Sequence, residues 1–290
     1  MSVTAIPKLP YKPTKPYIQP RNTQAMTIAI GLKACDGVVF CSDSQITIPQ
    51  YMKYTGPKVF TLSSNKNDAN KWAIGFTYSG DPERMHRVFE QMSDVLCKKD
   101  VTVNKDLIRT CFEKSLGDVR STIINTNYES IDILCGGSIG TSSEPFMFCG
   151  KSGSITESKE LVLLGCGDSS LSRYLEGMFP DGRLLMDAST ALVSGAYLIE
   201  QAKLYVDGCG GDSQISLVTS GQVKTFRGAA LKQLVDLAVL MDEVLKKTLV
   251  LSLGVEMEAI DFEKGETAEG VLINQINDLK RKIQWLFWEY

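Results

Sequence analysis

The order of strand-like and helix-like stretches constrains this chain more than any other feature: strands, two helices, strands, two helices, strands. Ile28, Ile30 and Leu32 alternate with small residues, Cys35-Asp36-Gly37 is a turn signal, and Val38-Val39-Phe40-Cys41 reads as a buried strand, so a hairpin is expected. Another strand is expected over 72–79. Asp81-Pro82-Glu83 then combines a capping side chain, a proline for the first turn and an early acid, and Met85, Phe89, Met92 and Leu96 continue with helical spacing. A second helix is expected over about 105–126, with Leu107, Ile108, Cys111, Phe112, Leu116, Val119 and Ile123 on one stripe. Strand patterns at 130–135, 146–149 and 161–164 precede helices over about 169–179 and 188–206, and strands at 214–219 and 223–226 follow. Blocks in this order predict an α+β fold, a four-layer αββα sandwich over about 27–228. They do not suit the strict alternation of a doubly wound sheet.

The two ends differ from this body. Residues 1–26 carry Pro7, Pro10, Pro13, Pro16 and Pro20 without a hydrophobic period, and read as a disordered tail or propeptide. Residues 229–290 read as a C-terminal helical extension: a helix over about 229–251, an acidic linker over 256–269, and a last helix from near Val271. There Leu272, Ile276, Leu279, Ile283 and Leu286 form a heptad-like stripe, suited to packing on the body or on a neighbouring subunit.

Composition removes several function classes. Thirty-one Lys and Arg against 34 Asp and Glu leave a formal charge of −3 with no run of one sign, which disfavours nucleic acid or an anionic membrane as partner. No stretch approaches the ~20 apolar residues of a membrane span. The Pro- and Lys-rich start lacks the apolar core of a signal peptide. Cys35, Cys41, Cys135, Cys149 and Cys166 sit in or beside apolar runs and no CxxC occurs, so the cysteines read as reduced packing thiols of a cytoplasmic protein. The single histidine, His86, lies in a charged helical segment and reads as a solvated surface residue. A histidine metal cluster is thereby excluded, and a Ser-His-Asp or Cys-His triad has only that residue to use. Gly150-Lys151-Ser152 is not a phosphate loop, because the required earlier glycine place holds Pro145; it reads as a polar turn.

The chemistry-bearing stretch runs from Thr27 through Asp43-Ser44-Gln45 to Thr47, with Asp43 sixteen residues after Thr27. It resembles the opening of proteasome β-subunits and, more so, of the HslV-type peptidases, a family of N-terminal-nucleophile hydrolases. Met52-Lys53 followed by Gly56-Pro57-Lys58-Val59-Phe60 is similar to the segment where that family keeps a catalytic lysine, which falls on Lys58. Phe76 to Asp81 resembles the strand end whose glycine amide forms the oxyanion hole, placing that role on Gly80. Leu164-Gly165-Cys166-Gly167 and Cys209-Gly210-Gly211 are similar to two later motifs, at whose serine places Cys166 and Cys209 stand. The resemblance covers about 27–228.

The resemblance implies a threonine peptidase acting on peptides or unfolded protein in a homo-oligomeric ring, with no cofactor or metal and room for an ATP-dependent unfoldase. A threonine hydroxyl needs an adjacent base, and a freed N-terminal threonine carries one in its α-amine. Lys58 would hold positive charge beside Oγ while Asp43 fixes the lysine, and Gly80 would offer an N–H to the tetrahedral oxygen. The chain departs from the family at Met26, where β-subunits usually have glycine, and at the supporting acid, which falls near Val206 or Asp207. Thr27 is then freed either by self-cleavage after Met26 or by initiation at Met26. Two other readings stay open: a non-catalytic ring or scaffold subunit, and a small-molecule amidase of the same broad fold.

Overall fold

The computed structural model describes residues 27–48, 52–64, 71–98, 100–121, 131–140, 144–151, 154–158, 161–165, 186–206, 208–252, 270, 273–278 and 281–282. A hairpin joins β1 (Ile28–Lys33) to β2 (Gly37–Asp43), and every residue of β2 is buried. Strands this apolar on both faces need cover on both sides. β1 also pairs with β10 (Leu161–Gly165), and β2 with β11 (Ser213–Thr219), which carries the edge strand β12 (Gln222–Phe226). A second sheet has the order β5 (Val59–Ser63), β6 (Trp72–Ser79), β7 (Asp132–Ile139), β8 (Phe146–Lys151) and β9 (Ser154–Ser158). A separate ribbon pairs β3 (Gln45–Ile48) with β4 (Met52–Thr55). All of these pairings are antiparallel.

The two-residue period of the strands sorts their side chains. Trp72, Ile74, Phe76 and Tyr78 of β6 pack with Met85, Val88 and Met92 of α1 (Pro82–Leu96) and with Ile108, Phe112 and Leu116 of α2 (Lys105–Ser121). Ala29, Val38, Phe40, Ala73, Leu134, Met147 and Val218 form a cluster between the two sheets. Gly75 leaves room there, since a Cβ on it would lie 2.5 Å from the Phe40 ring. Ile28, Ile30, Val39, Cys41, Ile215 and Leu217 meet Ala191 and Leu192 of α3 (Ala188–Tyr205) and Leu234 and Leu237 of α4 (Gly228–Ser252). Fully burying a side chain of the Val, Leu, Ile or Phe class is worth about 1.5–3 kcal/mol, so these clusters dominate the folding free energy.

Helix starts follow the local chemistry. Asp81 accepts from the Glu83 N–H at 2.8 Å with Pro82 in the first turn. Asp187 accepts from the Thr190 N–H at 2.8 Å, and Asp36, in the β1–β2 turn, accepts from the Ala188 N–H at 2.7 Å. That last bond ties the hairpin to the start of α3.

The strands expected near 28–32, 38–41, 72–79, 146–149, 161–164, 214–219 and 223–226 and the helices beginning near 82, 105 and 188 are present, but the four-layer αββα N-terminal-nucleophile sandwich expected over 27–228 is corrected. Among the described residues of that span, one sheet carries α1 and α2 on its outer face and the other carries α3, while α4, which adds to the same cluster, begins only at Gly228. The ribbon β3–β4 belongs to neither sheet. The fold is a mostly antiparallel β-sheet domain with helices packed against it. The helix expected over 169–179, the tail 1–26 and the linker 256–269 lie outside the described residues. No helix among the described residues is long and apolar enough to cross a membrane. No disulfide joins the described cysteines.

Candidate active site

Thr27 stands immediately before β1, Asp43 ends β2, and Lys58 immediately precedes β5. The β1–β2 register brings the first two together from opposite ends of the hairpin, and the Thr27 hydroxyl donates to Asp43 Oδ1 at 3.0 Å. Lys58 arrives from the second sheet. Its Nζ donates to Asp43 Oδ1 at 2.7 Å, to Thr27 Oγ1 and to the Gln45 carbonyl oxygen. An ammonium has three N–H donors, and each has an acceptor here. Relative exposures of 4% for Thr27, 0% for Asp43 and 1% for Lys58 put the cluster out of bulk water.

The carboxylate is further supplied with donors. Asp43 Oδ1 also accepts from the Ile28 N–H at 3.3 Å, and Oδ2 accepts from the Gly210 N–H at 3.0 Å. Buried charge is tolerated only when matched in this way. Gln45 is held in turn: its N–H donates to the Gly210 carbonyl at 3.1 Å and its side-chain amide to the Gly208 carbonyl at 2.8 Å. The Tyr78 hydroxyl donates to the Pro57 carbonyl at 3.4 Å, and burial, followed by the negative charges of neighbouring groups, pushes its phenol well above the usual range.

The other sequence candidates divide. Gly80 follows β6 with φ +112°, and Ser79 just before it faces Gly165. Cys209 packs against the apolar cluster beneath α3, whereas the N–H of the next residue, Gly210, reaches Asp43. Cys166 and Asp207 lie outside the described residues. His86 is exposed on α1 and meets Phe60 edge-on at 5.2 Å. No group of three or more His, Cys, Asp or Glu among the described residues is placed to hold a metal ion.

Sequence reasoning missed Gln214. On β11, its Oε1 accepts from the Lys58 N–H at 2.7 Å and the Val59 N–H at 3.2 Å, and its Nε2 donates to the Gly56 carbonyl at 2.7 Å. Its place three residues after Gly211 in a strand-like run gave no sign of this. Only the pairing of β11 with β2 brings it to the lysine segment.

No family model matches this chain, and no curated protein matches it. Its fold is similar to that of Anbu. Anbu from Hyphomicrobium sp. strain MC1 matches with a TM-score of 0.59 at 12% identity, over 81% of this chain and 100% of that one. Anbu, an ancestral beta-subunit, from Yersinia bercovieri gives 0.60 at 11% identity, over 81% and 100%. A helical assembly of the Anbu complex from Pseudomonas aeruginosa gives 0.50 at 13%, over 82% and 99%. The resemblance to proteasome β-subunits and HslV-type peptidases is corrected accordingly: the structural neighbours are Anbu proteins, proteasome-like but a distinct family. At such identities the likeness carries the fold alone.

Proposed function

We propose that this chain is a subunit of a proteasome-like assembly whose Thr27 hydroxyl attacks peptide bonds once residues 1–26 are removed. The observation that carries the reading is the Lys58 ammonium, bonded at once to Thr27 Oγ1, Asp43 Oδ1 and the Gln45 carbonyl in a buried site. Positive charge at that place stabilises a developing alkoxide, and the freed α-amine of Thr27 takes the hydroxyl proton as oxygen bonds to the substrate carbonyl. The amine then returns the proton to the leaving nitrogen, and water cleaves the ester that remains. Gly80 is assigned the backbone N–H for the tetrahedral oxygen. No step calls on His86.

A second reading is a non-catalytic assembly subunit, and the fold likeness by itself favours it, since one neighbour is a helical assembly of an Anbu complex. One experiment separates the two. Protein beginning at Thr27 should hydrolyse fluorogenic peptides and be blocked by an electrophile bridging its hydroxyl and amine, while full-length protein of verified mass does neither. Full activity from a chain that retains residues 1–26 contradicts the free-amine mechanism. Ordered assembly without hydrolysis from either form supports the scaffold reading.

A further inference from the structure

We propose that Gln214 is a positioning residue for Lys58, holding its ammonium between Thr27 and Asp43 by clamping the backbone of residues 56–59. This rests on the reading of Thr27 as nucleophile.

The clamp begins in the sheet. Ser213 is the register partner of Asp43 and Gln214 that of Ser42, so Gln214 is fixed beside the strand end that carries the carboxylate. Ile215 and Leu217 belong to the cluster beneath α3 and α4, and strand alternation turns Gln214 the other way, toward β5. There one amide group makes three bonds to one turn: Lys58 N–H, Val59 N–H and the Gly56 carbonyl. Pro57 has no N–H, so Lys58 and Val59 supply the next two donors of the segment, and both go to Gln214 Oε1. The Gly56 N–H donates to the Ser44 carbonyl at 2.9 Å. The segment is thus tied to Ser44, which follows Asp43, and to Gln214 on the strand paired beside it.

Lys58 must meet three acceptors with one ammonium, a geometry held only if its backbone is fixed to a fraction of an ångström. A free loop with a four-carbon side chain would spread that ammonium over many rotamers. Gln214 touches no reacting atom. It acts through Lys58.

The test compares Gln214→Leu, which keeps the bulk and loses all three bonds, with Gln214→Glu, which retains both acceptor bonds. In protein beginning at Thr27, Gln214→Leu should lower kcat roughly 10- to 100-fold at unchanged KM. Gln214→Glu should recover part of kcat, its second oxygen having no proton to give the Gly56 carbonyl, and displace the pH–rate profile, because its added charge lies next to the lysine. Unchanged kcat in Gln214→Leu, or a change confined to KM, overturns the proposal. A second measurement needs no catalysis and uses the full chain: trace acetylation by acetic anhydride, mapped by mass spectrometry, with exposed Lys232 as internal standard. Lys58 should be protected in the wild type and become at least about tenfold more reactive in Gln214→Leu, the scale of a lost positioning contact. Equal protection in both overturns the clamp. A wild type that cleaves no peptide yet shows this acetylation change sinks the nucleophile reading and leaves the clamp standing. If Gln214→Leu does not fold, Gln214→Asn, one methylene shorter, is read by the same two measurements.

Discussion

Lys58 Nζ lies 2.7 Å from Asp43 Oδ1 with side-chain exposures of only 2% and 0%, and the same carboxylate oxygen accepts the Thr27 hydroxyl at 3.0 Å. Taking two charges out of water costs several kcal/mol per ion, and a buried pair often contributes less stability than an apolar pair of equal volume. The fold therefore gains little from this pair that leucine and methionine would not supply. A charge pair aimed at a hydroxyl makes chemical sense where structural sense is thin.

Lys58→Met tests that balance. The variant leaves Asp43 buried with its remaining donors but no counter-charge, and stability should fall by about 3–5 kcal/mol. Peptide hydrolysis should fall by roughly 10² or more, the order expected for a positioned charge. Urea denaturation and turnover of protein beginning at Thr27 check the two outcomes separately. Full turnover in a folded Lys58→Met protein removes Lys58 from the proposed mechanism.

Asp43→Asn combined with Lys58→Met removes both charges at once. The double variant should be more stable than the sum of the singles implies, with a coupling of about 1–3 kcal/mol for groups in direct contact. A coupling indistinguishable from zero by denaturant titration would contradict a functional ion pair. Peptide hydrolysis should stay at least roughly 10² below wild type in the double variant, as in Lys58→Met, so stability returns without activity.

Much of this is legible in the sequence, and the rest is hidden for identifiable reasons. The alternating run at 28–32, the continuous apolar run at 38–41, the strand at 72–79 and the capped helix at Pro82 can be read directly, because apolar side chains fill both faces of the strands and one face of the helix. Short strands such as Gln45–Ile48, Met52–Thr55 and Ser154–Ser158 carry polar or mixed side chains, and only pairing with a neighbour makes them strands. The layer arrangement differs from the expected sandwich because local periodicity says which face of a helix is apolar and not how many helices cover each sheet. The resemblance to the N-terminal-nucleophile family, not any local pattern, suggests Thr27, Asp43 and Lys58 as a group. Gln214 and the Gly210 N–H act through long-range register, which no local pattern encodes.

The buried thiols supply a test of the core. Burial pushes the Cys41 and Cys135 thiols far above their ordinary value, while Cys35 and Cys97 are exposed. In the folded protein a maleimide should label Cys35 and Cys97 quickly and spare Cys41 and Cys135 until unfolding. A raised folded-state pKa gives stability that is complete below the unfolded-state value and lost as pH rises. That value is 9.0 for each thiol, so stability should decline above about pH 9. The slope is about 1.4 kcal/mol per pH unit for each such group. Urea midpoints at pH 8 and pH 10 measure it, and identical midpoints would deny the burial of both thiols.

Gly165 gives the sharpest link between backbone geometry and the site. It ends β10 opposite Ile28, with φ +91°, a conformation that strains any residue bearing a Cβ. A Cβ there would lie 2.0 Å from the Thr27 carbonyl oxygen and 2.9 Å from Ser79 Oγ. The first contact is with backbone and cannot be relieved by a rotamer change, so Gly165→Ala must push β10 away from β1 or turn Thr27 out of line. Strain of this kind costs on the order of 1–3 kcal/mol before any repacking. The matched control is Gly117→Ala on the exposed side of α2, where nothing lies within 4 Å of the added carbon. That substitution should stabilise the protein by about 0.5–1 kcal/mol through helix propensity. The two alanines therefore move the urea midpoint in opposite directions, and only Gly165→Ala should also lower peptide turnover, because a displaced Thr27 loses its alignment with Lys58 and Asp43. Equal midpoints for the two variants would show that β10 yields without cost, and the close approach would then have no part in holding Thr27.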